Sequence, residues 1–135
     1  MFRYSICDPL KKEPIDLGDI EKDKILDVVD KLPWTDLLAK MKEVKESEIH
    51  FSPSIEFENK NNRHGLCISI VENDNGYEFY IFYKRPKMVN RFFGLSQSMN
   101  DNYVSERLGQ TNADVKDAVE ALINDDLMTL EKRWG

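Results

Sequence analysis

The chain has 135 residues, of which 41% are apolar and 10% aromatic, enough to build one hydrophobic core without disulfides or metal. Its formal net charge of −6 argues against a general nucleic-acid binder, whose affinity rests on a basic face, and favours solubility or attraction to a basic partner. Cys7 and Cys67 form no CxxC pattern, the N-terminal segment has no signal-like apolar run, and no stretch is long enough to span a membrane. The expectation is a single cytoplasmic domain, residues 1–135, with two reduced thiols and no cofactor.

Phe2, Tyr4 and Ile6 alternate with polar neighbours, which predicts a short strand closed by Asp8-Pro9. A charged connector with Pro14 and Gly18 follows. From Asp19 the apolar period becomes helical: Ile25, Val28, Val29 and Leu32 form one stripe, and Pro33 ends it. Thr35 is placed to cap a second short helix whose inner face is Leu37, Leu38, Met41 and Val44.

The middle of the chain is strand-like. Ile49, Phe51, Ile55 and Phe57 share one parity, with Pro53 marking a bend or an edge. After the polar turn Asn59–Arg63, Leu66, Ile68 and Ile70 begin the next strand, and the turn around Asn75-Gly76 leads into Tyr77–Lys84. Closing the first turn at Asn59 and His64 sets Phe57 opposite Leu66 and Ile55 opposite Ile68. At the second turn, a two-residue loop Asn75-Gly76 sets Ile70 opposite Ile81, and a four-residue loop from Asn73 shifts the pairing by two and keeps the faces, whereas a three-residue loop would swap the parity of the last strand. One face is then Phe51, Ile55, Phe57, Leu66, Ile68, Ile70, Phe79, Ile81 and Tyr83, a core. The other carries His50, Ser52, Ser54, Glu56, Glu58, Cys67, Ser69, Val71, Glu78, Tyr80, Phe82 and Lys84.

Beyond Pro86, Met88-Val89 and Phe92-Phe93 suggest another strand, Gly94–Asn102 reads as loop, and Tyr103–Leu108 as a final strand or an irregular segment. Thr111 caps the longest helix, with Asp114 at its third position, and its stripe runs through Val115, Ala118, Val119, Leu122, Ile123, Leu127 and Leu130 towards Trp134. The expected fold is α+β: an antiparallel sheet of about 4–6 strands against an N-terminal helix pair and a long C-terminal helix. This order is similar to that of the helix-grip proteins, START-like and plant-allergen relatives. The resemblance implies a sheet curled around the terminal helix and an apolar ligand, with Phe51, Ile68, Ile81 and Tyr83 lining the cavity.

No phosphate-loop, dinucleotide, HExxH, GxSxG or zinc-finger pattern occurs. His50 stands about 20 Å along the strand from Glu56 and Glu58, too far to share a metal with them. Cys67 and His64 differ in parity, which separates a thiol from its base. From Phe79 to Asn100 there is no acid, while Lys84, Arg85, Lys87 and Arg91 fall inside. With the interleaved aromatics this stretch could hold single-stranded nucleic acid, but strand parity sends half its rings to the core. The outer sheet face carries the stronger indication: aromatic anchors within a polar rim are the composition of protein interfaces, the alternative being a patch covered by the final segment or a loop. The expected function is non-enzymatic protein binding, most concretely as an immunity-type inhibitor of a toxin or basic effector, with Glu56, Glu58, Glu78, Tyr80 and Phe82 as contacts. A homodimer joined through the same patch is a further expectation, and a helix-grip ligand-binding protein or enzyme is the alternative.

Overall fold

The computed structural model describes residues 1–91, 94 and 96–135. Among these residues six strands form one antiparallel sheet: β1 (Phe2–Cys7), β2 (Ile15–Ile20), β3 (Ser54–Asn59), β4 (Gly65–Asn73), β5 (Gly76–Arg91) and β6 (Ser96–Gln110), in the order β2-β1-β3-β4-β5-β6. Four α-helices, α1 (Lys22–Lys31), α2 (Trp34–Lys42), α3 (Asn112–Ile123) and α4 (Leu127–Trp134), accompany it.

Strand alternation and helical stripes converge on a single core. Ile55, Phe57, Leu66, Ile68, Ile70, Phe79, Ile81 and Tyr83 are buried on one sheet face, against Ile25, Val29 and Leu38 of the first helices and Val115, Ala118, Val119, Leu122, Leu130 and Trp134 of the last two. Each large side chain so buried contributes roughly 1.5–3 kcal/mol, which fixes the sheet register against slippage. The pairs Ile55↔Ile68 and Phe57↔Leu66 are those expected, and Asn59 N donates to His64 O at 2.8 Å to close the turn. At the second turn the register follows the shifted alternative: Ile70 faces Phe79, Ile68 faces Ile81, and Asn73↔Gly76 closes the ladder around Asp74-Asn75. Gly76, with φ +123°, supplies the backbone conformation that a side chain would resist.

Five expectations need correction. The charged connector contains a strand, β2, whose Ile15-Asp16-Leu17 alternation is the signal; Leu17 is the extra residue of a bulge between Tyr4↔Gly18 and Ser5↔Asp16. Ile49 and Phe51 precede the sheet instead of joining it, behind a 3-10 turn at Glu46–Glu48. Pro53 ends that run, and its carbonyl accepts from Ile70 N at 3.1 Å. Helix α2 starts at Trp34 with Pro33 in the cap position, not Thr35, because the Trp34 ring packs edge-on against Phe79 at 5.4 Å and Leu37 N already bonds Pro33 O.

Met88-Val89 lie in β5 as expected, but residues 96–102, expected as loop, are strand: β5 and β6 pair as one long hairpin, and Pro86 sits at a bulge, where its missing N–H breaks no regular ladder. Phe92 and Phe93 lie outside the described residues. The long C-terminal helix is two helices. Asp125 takes φ +57°, Asp126 N reaches Ala121 O and Asp125 N reaches Leu122 O, a Schellman end to α3. Asp126 then accepts from Thr129 N to cap α4. At the start of α3 the expected capping box is present, Thr111 with Asp114.

Candidate functional site

The core lies on one side of the sheet, so the other side is a ruled surface whose rows follow from the register. One row runs Arg3, Glu58, Gly65, Lys84, Val104 across β1, β3, β4, β5 and β6; the next runs Ser5, Glu56, Cys67, Phe82, Glu106. Cys7, Ser54, Ser69 and Tyr80 make the third, and Val71 with Glu78 lies beyond. Glu56, Glu58, Glu78, Tyr80 and Phe82 therefore share one face, and Glu56 and Phe82 stand two strands apart, about 10 Å. All five are half-buried.

The carboxylates are not equivalent. Gly65 has no side chain between Glu58 and Lys84, and a Cβ there would lie 2.6 Å from Phe57 O. Across that gap Lys84 Nζ reaches Glu56 at 3.2 Å and Glu58 at 3.5 Å. Partial burial pulls the Lys84 ammonium down, but Glu56 and Glu58 outweigh it and hold its pKa above the ordinary value. Glu56 and Glu58 thus already hold an internal cation, whereas Glu78 and Glu106 carry no ion pair among the described residues. Beside them a groove of about 300 Å³ is lined by Arg3, Ser5, Pro14, Asp16, Glu56 and Glu58.

The apolar part of the face is larger than the sequence indicated. Val104 and Leu108 of β6 are 50% and 51% exposed, and Met88 and Met99, opposite one another farther along the hairpin, are each 52% exposed. The extra residues of both bulges fall on β6, so β5 keeps its alternation and Met88 follows Tyr80 and Phe82 on the outer side. Residues 96–102 read as loop, so the stripe on β6 was hidden. The alternation of Val104, Glu106 and Leu108 could have revealed its inner half.

Two further cations of the acid-free stretch, Arg85 and Lys87, are tied to Glu131. Arg85 is 2% exposed; its guanidinium lies 4.4 Å from the Tyr83 ring centroid and 4.8 Å from that of Tyr103. It donates to Tyr83 O, to Ser105 Oγ and to Glu131 at 2.9 Å, and Lys87 joins the same Glu131 oxygen at 2.9 Å. Partial burial raises the Glu131 carboxyl, but bonds from Arg85 and Lys87 together hold it below the usual carboxylate range.

His64 belongs to this cluster, with Nδ1 2.6 Å from Tyr83 Oη on the core side. Cys67 points to the other side, and burial, with Glu56 and Cys7 adding, pushes its thiol up to about 12. A thiol so held stays protonated at neutral pH and is a poor nucleophile. Ile68, Ile81 and Tyr83, expected to line a ligand cavity, are packed in the core, while Phe51 is half-buried at its edge.

No family model, curated protein or solved structure matches the chain. Among the described residues no helix is long and apolar enough to cross a membrane.

Proposed function

We propose that this chain is a non-enzymatic protein-binding domain that takes a basic protein onto the outer face of its sheet. In its most concrete form it is an immunity-type inhibitor that masks the active site of a toxin or basic effector. One observation carries the reading: among the described residues, the buried helix residues join the core face of the sheet, while the opposite face presents Tyr80, Phe82, Val104 and Leu108 among Glu56, Glu58, Glu78 and Glu106. Aromatic anchors inside a charged rim are the usual anatomy of a protein interface, and the carboxylates steer a cationic partner towards it.

The test is affinity for purified basic proteins, first among them any toxin or effector encoded beside this chain's gene. The double variant Tyr80→Ala/Phe82→Ala is expected to weaken binding about tenfold or more, as loss of central aromatic anchors does. Undiminished binding by a variant that remains folded would show that the face is wrongly assigned. Thermal shifts with apolar small molecules, and none with basic proteins, would instead favour the helix-grip alternative.

A further inference from the structure

The two edges of the sheet differ in a way that bears on how a partner docks. Edge strands expose unpaired backbone groups, and proteins blunt them by shortness, bulges, charge or proline. Strand β2 is blunted on several counts: it has six residues and a bulge at Leu17, with Asp16 held by Arg3 at 3.3 Å and Asp19 by Lys60 at 3.1 Å. Strand β6 has fifteen residues and neither proline nor lysine. Its segment Tyr103–Arg107 lies between two bulges, the second opening at Leu108, with β5 on one side and no strand on the other among the described residues. The outward side chains of Tyr103–Leu108 are Val104, Glu106 and Leu108, all exposed.

Charge selects the occupant. A second copy added in the register that sets Val104 against Leu108 would place Glu106 against its own counterpart, a like-charge pair, on a chain already at −6. A cationic segment meets Glu106, and Glu78 near Gly109, with opposite charge. Resting on the protein-binding reading above, we infer that the basic partner adds an extended segment to β6 as a seventh strand beside Tyr103–Leu108. On the outer face this segment sets an apolar side chain beside Val104, a lysine or arginine beside Glu106 and an apolar side chain beside Leu108. Main-chain hydrogen bonds supply the docking, and the alternate side chains supply the selectivity. The added strand widens the outer face and continues its apolar stripe.

The probe is the synthetic peptide Thr-Val-Thr-Lys-Thr-Val-Thr, whose pattern reads alike in both directions, so that parallel and antiparallel addition are both open to it. Hydrogen–deuterium exchange is measured on the whole chain with and without peptide. The β6 amides that face away from β5 within Tyr103–Leu108 are expected to exchange about tenfold more slowly once the peptide is at ten times its Kd. Backbone N-methylation of the same peptide is expected to abolish binding, and replacing its lysine by glutamate to weaken it. Glu106→Lys should reverse the preference between the lysine and glutamate peptides. The inference is overturned by equal binding of the N-methylated peptide, by unchanged exchange of Tyr103–Leu108, by an unreversed preference in Glu106→Lys, or by a dimer that protects these amides before any peptide is added. A basic partner captured through Tyr80 and Phe82 while the β6 amides exchange freely would sink strand addition alone. Loss of both would sink the protein-binding reading as well.

Discussion

Replacing Glu131 by alanine is expected to cost about 2 kcal/mol, although nearly half of its side chain is exposed. The cost arises at its partner. Arg85 is 2% exposed, and its Nε is already buried without a hydrogen-bond partner among the described residues. Without the carboxylate 2.9 Å away, the guanidinium keeps, among the described residues, Tyr83 O, Ser105 Oγ and two ring faces. Stranding one member of a fully buried pair costs roughly 3–5 kcal/mol, and a hydrogen bond to a charged group contributes roughly 1.5–3. The water that reaches Glu131 places this pair near the lower range. The exposed Lys87–Glu131 contact adds at most about 0.5 kcal/mol. Arg85→Met removes the buried charge and fills most of its volume, so relief of desolvation offsets the two lost cation–π contacts, for a net cost of about 1 kcal/mol. In the double variant Glu131→Ala then costs little more, about 0.5 kcal/mol or less beyond Arg85→Met. Urea unfolding followed by tryptophan fluorescence measures all four proteins of the cycle. Additive costs, or a Glu131→Ala loss under about 0.5 kcal/mol, would refute the view that Arg85 depends on this carboxylate.

Two further outcomes are expected. Burial pushes the His64 imidazole below its ordinary pKa, with Arg85 pushing the same way and Asp125 and Glu131 opposing. The unfolded chain therefore takes up this proton first as pH falls. Stability contributed by neutral His64 is complete above the unfolded value of 6.5 and declines as pH drops from there towards the folded pKa. Urea midpoints across this range should show the decline, and His64→Gln should flatten it; a midpoint independent of pH between 6.5 and the carboxylate range would refute it. Thr111→Ala removes a side chain that accepts from Asp114 N at 3.2 Å and donates to its carboxylate, and is expected to cost about 1 kcal/mol in the same assay. No loss in that variant would mean that the capping box contributes nothing to holding α3.

Local periodicity in the chain is enough to place much of the sheet and the helix stripes. Alternation sorted Ile55, Phe57, Leu66, Ile68, Ile70, Phe79, Ile81 and Tyr83 onto one face and Glu56, Glu58, Glu78, Tyr80 and Phe82 onto the other, and this sorting survived a register shift because a shift of two preserves parity. The helix stripes, the Asn59–His64 turn and the Thr111 cap were legible for the same reason: each is set by residues within one or two turns of chain.

Tertiary structure decided what depends on distant partners. The helix break at Asn124–Asp126 lets α4 fold back so that Leu130 and Trp134 reach the core, with Glu131 meeting Arg85. Residues 96–102, polar and glycine-flanked, become strand only because β5 offers them a ladder, and β2 forms only because β1 does. Arg85, with Lys on both sides of Arg85-Pro86, looked like part of a basic strip, yet the parity it shares with Tyr83 carries it into the core. A pairing ladder and a buried ion pair both require groups far apart in the chain, so neither leaves a periodic trace. The outer face was foreseen at Tyr80 and Phe82, and the hairpin that extends it to Val104, Leu108, Met88 and Met99 emerged only with the fold.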